Sequence, residues 1–122
     1  MRKKILVVDD SITVRQQLSL VLSSAGFDVL EAGDGIEGAE TIDATPDLAL
    51  VICDVNMPRM NGLEMVEQVR EDKRHAAIPI VMLTTEGDPT LVARAKGIGA
   101  KGWIVKPFKP ELLVAAARKL AV

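Results

Sequence analysis

Four short apolar runs, each ending on a polar residue, constrain the fold of this chain more than any other feature of its sequence. The longest comprises residues 48–53 and ends at Asp54, where turn residues follow. An uncharged run of this length is typical of a strand buried on both faces of a parallel sheet. The other three runs end on two carboxylates, a hydroxyl and an ammonium: Asp9-Asp10, Thr84 and Lys106. Parallel strands would bring these groups to one sheet edge, where open α/β sheets bind ligands.

Between these runs the apolar residues recur at helical spacing, so strands and helices alternate along the whole chain. We predict strands at residues 4–8, 28–32, 48–53, 80–83 and 102–105. The helices are predicted to begin near residues 11, 34, 63, 89 and 110. Right-handed crossovers then give a parallel sheet with helices on both faces, an α/β fold. A single domain over residues 1–122, with no effector domain, is expected.

Several local signals refine this outline. Asp34 and Asp88 are predicted to cap the second and fourth helices, and Asn61-Gly62 is typical of backbone with positive φ. His75 lies in a charged stretch and is interpreted as a solvated surface histidine. Cys53, the single cysteine, lies inside an apolar run and is interpreted as a core residue.

Composition argues against several classes of function. The net charge of −2 gives no general attraction to nucleic acid or to acidic membranes. One cysteine cannot form an internal disulfide or a cysteine metal cluster. No apolar stretch reaches the ~18 residues of a membrane helix, and no signal-like segment precedes Asp9. We therefore expect a cytoplasmic protein that neither binds nucleic acid nor enters a membrane.

The carboxylates predicted at the sheet edge need positive charge nearby. Two like charges ~4 Å apart cost about 4 kcal/mol at an effective dielectric constant of 20, so Asp9, Asp10 and Asp54 together would resist ionisation. Lys106 supplies one positive charge, and a divalent cation would supply two more. Because the ligands are all oxygen, Mg²⁺ fits better than zinc or copper. We predict a Mg²⁺ site with Asp10 and Asp54 as direct ligands.

The same groups suit phosphoryl transfer. A metal ion and Lys106 would neutralise the phosphoryl oxygens, and Thr84 could donate a hydrogen bond to one of them. Asp54 would then be the nucleophile.

At this point the chain resembles the receiver domain of bacterial two-component signalling, in particular its single-domain chemotaxis-type (CheY-like) members. The resemblance spans the whole chain and rests on residues 6–10, 54–62, 83–84 and 106–108. It implies a flavodoxin-like (βα)5 doubly wound sandwich with strand order 2-1-3-4-5. It also implies a regulatory domain that catalyses only its own phosphorylation and dephosphorylation.

The resemblance further implies that Asp54 accepts a phosphoryl group from a phosphohistidine on a sensor histidine kinase. Thr84 and Lys106 would then move towards that group. Mg²⁺ would be held by oxygen ligands: Asp10, Asp54, the backbone carbonyl of Asn56 and, mostly through water, Asp9. The Lys106-Pro107 peptide is expected to be cis.

Further residues correspond to positions that tune or transmit the signal. Asn56 and Glu86 would set how long the phosphoryl group survives. Thr85 stands where the family often has a smaller residue, and we hypothesise that its bulk slows phosphoryl entry and loss. Trp103 replaces the usual Tyr or Phe of the switch, so it either turns inward on activation or anchors a partner. The downstream target is expected on the face formed by the fourth helix, fifth strand and fifth helix.

Two alternative functions were weighed. A phosphatase of the haloacid-dehalogenase type needs an acid two residues after its nucleophile, and Asn56 cannot release a proton. A flavin- or nucleotide-binding module on the same fold is disfavoured by the acidic edge. The Gly33–Gly38 segment matches G-x-G-x-x-G, but it follows the second strand and is flanked by acids, so turn and cap chemistry explains it better.

Overall fold

The computed structural model describes residues 2–85 and 89–121 and shows one five-stranded parallel sheet. Its strands are β1 Lys4–Val8, β2 Asp28–Ala32, β3 Leu48–Asp54, β4 Ile80–Thr84 and β5 Gly102–Val105. Their order is β2-β1-β3-β4-β5, with the more polar β2 at one edge. The predicted α/β class and the strand order implied by the resemblance are both confirmed.

Helices cover both faces of this sheet. They are α1 Ile12–Ser24, α2 Gly35–Ala44, α3 Gly62–Glu71, α4 Pro89–Gly97 and α5 Pro110–Leu120, with a 3₁₀ turn at Lys73–His75. The helices α1 and α5 pack on one face, where Leu18, Leu22, Leu113 and Ala117 are buried. The other three pack on the opposite face. No helix within the described residues is both long and apolar enough to cross a membrane.

The central strand β3 divides the core into two layers because successive side chains point to opposite faces. Leu50 and Ile52 contribute to the layer under α1 and α5, whereas Val51 and Cys53 contribute to the other layer. These side chains are almost fully buried, and each buried aliphatic side chain contributes about 1.5–3 kcal/mol. The interior position predicted for Cys53 is confirmed. A strand packed on both faces holds its last residue, Asp54, firmly in place.

Capping residues fix where the helices begin. The Ser11 hydroxyl accepts a hydrogen bond from the backbone N–H of Val14, and the Asp34 carboxylate accepts one from Glu37. Asn61 and Glu64 form a complete capping box at the start of α3. The prediction of positive φ at Asn61-Gly62 is therefore wrong, because Asn61 has a φ of −75° as an N-cap.

Two other local predictions have different outcomes. His75 is buried, with 5% of its surface exposed, so the prediction of a solvated histidine is wrong. Its Nε2 lies 2.7 Å from Oδ1 of Asp43, near the end of α2, and 3.8 Å from Oδ2 of Asp72, which follows α3. The predicted cap at Asp88 and the tuning role of Glu86 concern residues that lie outside the described part of the chain.

Candidate functional site

The carboxyl ends of four neighbouring strands meet at one edge of the sheet. Asp54 is the last residue of β3 and pairs with Leu83, the residue before Thr84 at the end of β4. Thr84 pairs with Val105, and Lys106 follows directly. Asp9 and Asp10 come directly after β1, whose last residue pairs with Cys53. The predicted convergence of these strand ends is confirmed.

The Lys106 ammonium group bridges two buried carboxylates. Its Nζ lies 2.8 Å from Oδ2 of Asp9 and 3.5 Å from Oδ1 of Asp54. Asp9 has no exposed surface, and Asp54 is only 5% exposed. This cation comes from the other end of the chain, so the pairing depends on the parallel register of the sheet. It holds β5 to β1 and β3 electrostatically.

Three carboxylates form a compact acidic cluster at this edge. Asp9, Asp10 and Asp54 each present one oxygen atom, and these atoms all lie within 4.8 Å of one another. Asp10 is the exposed member, so the cluster is open to solvent on its side. Oδ1 of Asp9, the oxygen that does not face Lys106, accepts a hydrogen bond of 2.9 Å from the backbone N–H of Ser11. The start of α1 therefore fixes the Asp9 carboxylate.

Burial and the neighbouring carboxylate raise the pKa of Asp54 to about 6. Desolvation is the largest cause, the charge of Asp9 adds to it, and the nearby Lys106 opposes it. The Asp54 carboxylate therefore has less stabilisation than its charge requires. At neutral pH it is still mainly ionised and able to act as a nucleophile.

The pKa of Lys106 is raised by the same neighbours. Burial favours the neutral amine, but the hydrogen bond to Asp9 and the negative charge of Asp54 outweigh it. Lys106 therefore stays positively charged at neutral pH. One ammonium among three carboxylates leaves the cluster with excess negative charge.

The donor set of this cluster fits Mg²⁺. All the candidate ligands are carboxylate oxygens close enough to share one ion, and the open side near Asp10 leaves room for water ligands. The raised pKa of Asp54 indicates unmet negative charge that a divalent cation would offset. Asn56 is exposed and lies two residues beyond Asp54, where its backbone carbonyl could complete the site.

The loop that leaves Asp54 is fastened to the start of α2. The Arg59 guanidinium contacts Oδ2 of Asp34 through Nε at 2.7 Å and through Nη2 at 2.6 Å. The N–H of Gly35 donates to the carbonyl of Met60 at 3.2 Å. Arg59 has a φ of 64°, the only positive φ of a non-glycine residue within the described ranges. This attachment limits where the Asn56 carbonyl can lie.

Sequence reasoning missed this attachment. Asp34 was interpreted only as a cap, and nothing in the sequence linked it to Arg59, 25 residues away. Gly62 was also misinterpreted. A Cβ there would overlap the backbone carbonyl of Asp54, so the position requires a residue without a side chain. The signal was the glycine itself, and its physical reason is close packing rather than an unusual φ.

The remaining predicted site residues lie around this edge at different depths. Thr84 is fully buried at the end of β4, and Thr85 beside it is exposed. The Lys106-Pro107 peptide is cis, as expected. Trp103 is partly buried and packs against the core layer that includes Ala95 of α4. Its Nε1 atom is buried and has no hydrogen-bond partner among residues 2–85 and 89–121.

A cavity of about 560 Å³ lies beside Lys106. It separates α1 from the loop that follows β5, and Val14, Leu20, Thr85 and Phe108 contribute to its lining. Leu20 is strongly exposed. This apolar groove reaches the edge where Asp54 lies, and sequence reasoning did not predict it.

Known proteins resemble this chain over nearly its full length. The profile of the response regulator receiver domain matches residues 5–118. The chemotaxis protein CheY1 of Helicobacter pylori is 50% identical over 111 residues, which is 90% of each sequence. The structure of Vibrio cholerae chemotaxis protein CheY4 is 42% identical, with a TM-score of 0.92 over 98% of this chain and 99% of that one.

A further relative is longer. The DNA-binding response regulator MtrA of Mycobacterium leprae is 40% identical over 119 residues, which is 97% of this chain and 51% of that protein. This chain therefore matches about half of that regulator.

Proposed function

The chain belongs to the response regulator receiver domain family, and from this premise we propose that it is a phosphorylation-activated switch with Asp54 as the phosphoacceptor. The position of the Lys106 ammonium, 2.8 Å from Asp9 and 3.5 Å from Asp54, carries the proposal. Lys106 thus sets a cation beside Asp54. Asp54 is buried, belongs to the acidic cluster and has a raised pKa. A phosphoryl group on Asp54 would need such a cation.

The chemistry is a displacement at phosphorus. An oxygen of the Asp54 carboxylate attacks the phosphorus of a phosphohistidine on the partner kinase, the N–P bond breaks, and the imidazole departs with the electron pair. Lys106 stabilises the negative charge on the phosphoryl oxygens, and Thr84 donates a hydrogen bond to one of them. Mg²⁺ held by Asp10, Asp54 and the Asn56 carbonyl, with Asp9 acting through water, would offset further charge.

Loss of the phosphoryl group reverses the modification. Water attacks the phosphorus, the bond between phosphorus and the Asp54 oxygen breaks, and inorganic phosphate leaves the free carboxylate behind. Asn56 and Glu86 are proposed to tune this rate. Thr85 is proposed to slow it through bulk. Thr85 is exposed beside Lys106 on the groove, which is consistent with a position on the access route.

The kinase is proposed to approach through the groove between α1 and the loop after β5. A phosphohistidine-bearing partner must come within bonding distance of Asp54, and this groove shares Lys106 with the acidic site. Its apolar lining and the exposed Leu20 and Ile12 of α1 offer area that an apolar helix of the partner could bury.

The downstream protein is proposed to bind a different face, formed by α4, β5 and α5. Val105 and Leu112 are exposed large apolar residues on β5 and α5, and Trp103 lies on the same strand. Movement of Thr84 towards the phosphoryl group would free space beside Trp103, so the two residues are proposed as the switch. The Nε1 of Trp103 is buried without a hydrogen-bond partner in the described part of the chain, so a movement that exposed it to water would relieve this cost. The protein is proposed to act in the cytoplasm.

The geometry favours neither alternative function. Asn56 is exposed and cannot act as the general acid that a phosphatase with an aspartyl-phosphate intermediate needs. The glycine-rich segment that suggested nucleotide binding caps α2 through Asp34 and packs Gly35 against Met60. It is therefore already used within the fold.

The test is phosphorylation by a small donor. We expect incubation with acetyl phosphate and MgCl₂ to add the mass of one phosphoryl group to the intact protein. The Asp54→Asn variant should gain none, and chelation of the metal should prevent the reaction. Lone Trp103 gives a second readout, since its fluorescence should change on phosphorylation.

The matched control is Asp47→Asn. Asp47 is an exposed carboxylate that also pairs with a lysine, Lys4, but it lies far from the acidic cluster. It should be phosphorylated like the unmodified protein. Incorporation that persists in Asp54→Asn would refute the proposal.

A further inference from the structure

A second cluster of metal-binding side chains lies at the opposite edge of the sheet. Asp43 is near the end of α2, Asp72 follows the end of α3, and His75 ends the 3₁₀ turn before β4. One ligand atom from each lies within 4.8 Å of the others. We propose that these three residues bind a divalent transition-metal ion of the zinc class.

The histidine is held in a ligating position. Its Nε2 lies 2.7 Å from Oδ1 of Asp43 and 3.8 Å from Oδ2 of Asp72. The backbone N–H of His75 donates to the Asp72 carbonyl at 3.0 Å, and its carbonyl accepts from Arg70 at 2.7 Å. A side chain that is only 7% exposed, on a backbone fixed by two hydrogen bonds, has little freedom to turn away. Its nitrogen faces the two carboxylates.

The ligand types separate this site from the one at Asp54. His75 is the only histidine of the chain, and it adds an imidazole nitrogen to two carboxylates. Zn²⁺ and its neighbours in the first transition series bind such mixed nitrogen and oxygen sets well, whereas Mg²⁺ prefers oxygen alone. Three protein ligands leave a fourth position for water. A cavity of about 350 Å³ lined by all three residues provides space for it.

A cationic group of the protein already lies beside two of these ligands. The Arg74 guanidinium contacts Oδ2 of Asp72 at 2.5 Å and lies 3.8 Å from Oδ1 of Asp43. The Arg74 side chain is 70% exposed, so it can swing into solvent when a metal ion takes its place. The site therefore attracts positive charge, and Arg74 competes with the metal ion for it.

Occupation of the site would link two parts of the fold. The ligands come from α2 and from the connection between α3 and β4, so a bound ion would join them at the edge where the strands begin. Because none of the ligands belongs to the Asp54 site, this inference does not depend on the proposed phosphorylation.

The test is a titration of the whole chain, without a polyhistidine tag, with Zn²⁺ in the presence of excess MgCl₂. The Asp54→Asn background removes one carboxylate of the other acidic cluster. We expect one equivalent of Zn²⁺ to bind by calorimetry, and the ring signals of the single histidine to shift in the NMR spectrum. Mg²⁺ alone should leave those signals in place.

Variants at each position define the site. Asp43→Asn removes an exposed ligand without disturbing the core and should weaken Zn²⁺ binding more than about tenfold. His75→Gln should also weaken Zn²⁺ binding more than about tenfold. If the His75→Gln protein does not fold, Asp43→Asn is the variant that tests the site. Arg74→Gln should bind Zn²⁺ several-fold more tightly, because the competing cation is gone.

The outcomes are distinct. Zn²⁺ binding that is unchanged in Asp43→Asn, or histidine signals that do not respond to Zn²⁺, would overturn the inference. Equal affinity in Arg74→Gln and the parent would show that Arg74 does not compete, contrary to the geometry. Failure of acetyl phosphate to modify Asp54 would leave the Zn²⁺ result unaffected.

Discussion

The two edges of the sheet both carry clustered aspartates, but their charges are balanced to different degrees. At the carboxyl edge, burial and the charge of Asp9 raise the pKa of Asp54 to about 6. At the amino edge, hydrogen bonds from Arg74 lower the pKa of Asp72 to about 2. Asp72 is partly exposed and is paired with the Arg74 guanidinium, whereas Asp54 is buried and shares one ammonium with Asp9.

This difference indicates what each edge is built for. A carboxylate that already has a cation beside it can bind a metal ion only by exchanging that cation, whereas an unsatisfied carboxylate gains directly from anything that brings positive charge. The fold thus keeps Asp54 in a state that Mg²⁺ would relieve. Stability is given up at the carboxyl edge, as is common at sites under functional constraint.

The largest effect is expected when the cation at each edge is removed. Lys106→Met in chelator should lower the free energy of unfolding by about 3 kcal/mol, because it leaves Asp9 buried without its ion-pair partner. It should also raise the pKa of Asp54 further, since Lys106 lowers it. Urea unfolding and an NMR pH titration measure the two effects.

Arg74→Met is the matched change at the amino edge. Because Asp72 is partly exposed, water can replace the guanidinium there, and the loss of stability should be much smaller. Equal losses for the two variants would contradict the contrast between the edges.

A second test adds Mg²⁺ instead of removing a charge. MgCl₂ at 100 times its dissociation constant should stabilise the parent protein by about 2.7 kcal/mol, measured as a rise in melting temperature. Asp10→Asn should lose most of this rise, because it removes a proposed ligand. Asp43→Asn at the other edge should keep the rise in melting temperature. An equal loss in Asp43→Asn would contradict a Mg²⁺ site at the carboxyl edge.

A third test uses pH. In chelator at pH 7, Asp54→Ala should be more stable than the parent by about 1–2 kcal/mol. The folded pKa of Asp54, about 6, lies above the unfolded value of about 3.9, so folding binds a proton between these pH values. The stability that Asp54 confers is complete below about pH 4 and is lost as pH rises through 6. The advantage of Asp54→Ala should therefore vanish near pH 4.

Asp72→Asn is the control for the direction in which stability changes with pH. The folded pKa of Asp72 is depressed, so its contribution is present above about pH 4 and is lost as the pH falls towards 2. Asp72→Asn should thus be less stable than the parent at pH 7. If Asp72→Asn were more stable than the parent at pH 7, or Asp54→Ala less stable, the destabilised carboxylate would not lie at the carboxyl edge.

The smallest expected effect concerns access to the carboxyl edge. Thr85→Ala should speed both phosphorylation by acetyl phosphate and phosphoryl loss by a few-fold, less than about 1 kcal/mol in activation free energy. Thr45→Ala, in the turn before β3 at the amino edge, should change neither rate. If Thr85→Ala changed neither rate, the hypothesis that the Thr85 side chain narrows access to Asp54 would be wrong.

The sequence predicted the features that depend on order along the chain. The apolar runs placed the strands, and the residues that end them placed Asp54, Thr84 and Lys106 at one edge. This succeeded because parallel strands all end on the same side, whatever the details of packing.

Features that depend on contacts between distant segments were missed. Charged neighbours in the sequence made His75 look solvated, although α2 covers its ring through Asp43. The contact of Arg59 with Asp34 has no local signal, and neither has the groove beside Lys106. Lys106 is the exception: it lies 97 residues from Asp9, yet the sequence predicted the two at one edge because both follow parallel strands.

Gly62 carries a consequence for how this protein can be altered. A Cβ on Gly62 would overlap the backbone carbonyl oxygen of Asp54, the proposed phosphoacceptor, so even a methyl group does not fit there. Alanine, the mildest replacement available, would have to push the strand end and the first turn of α3 apart. A library that randomised position 62 and selected for signalling should return glycine alone, because any side chain there would displace the Asp54 carbonyl.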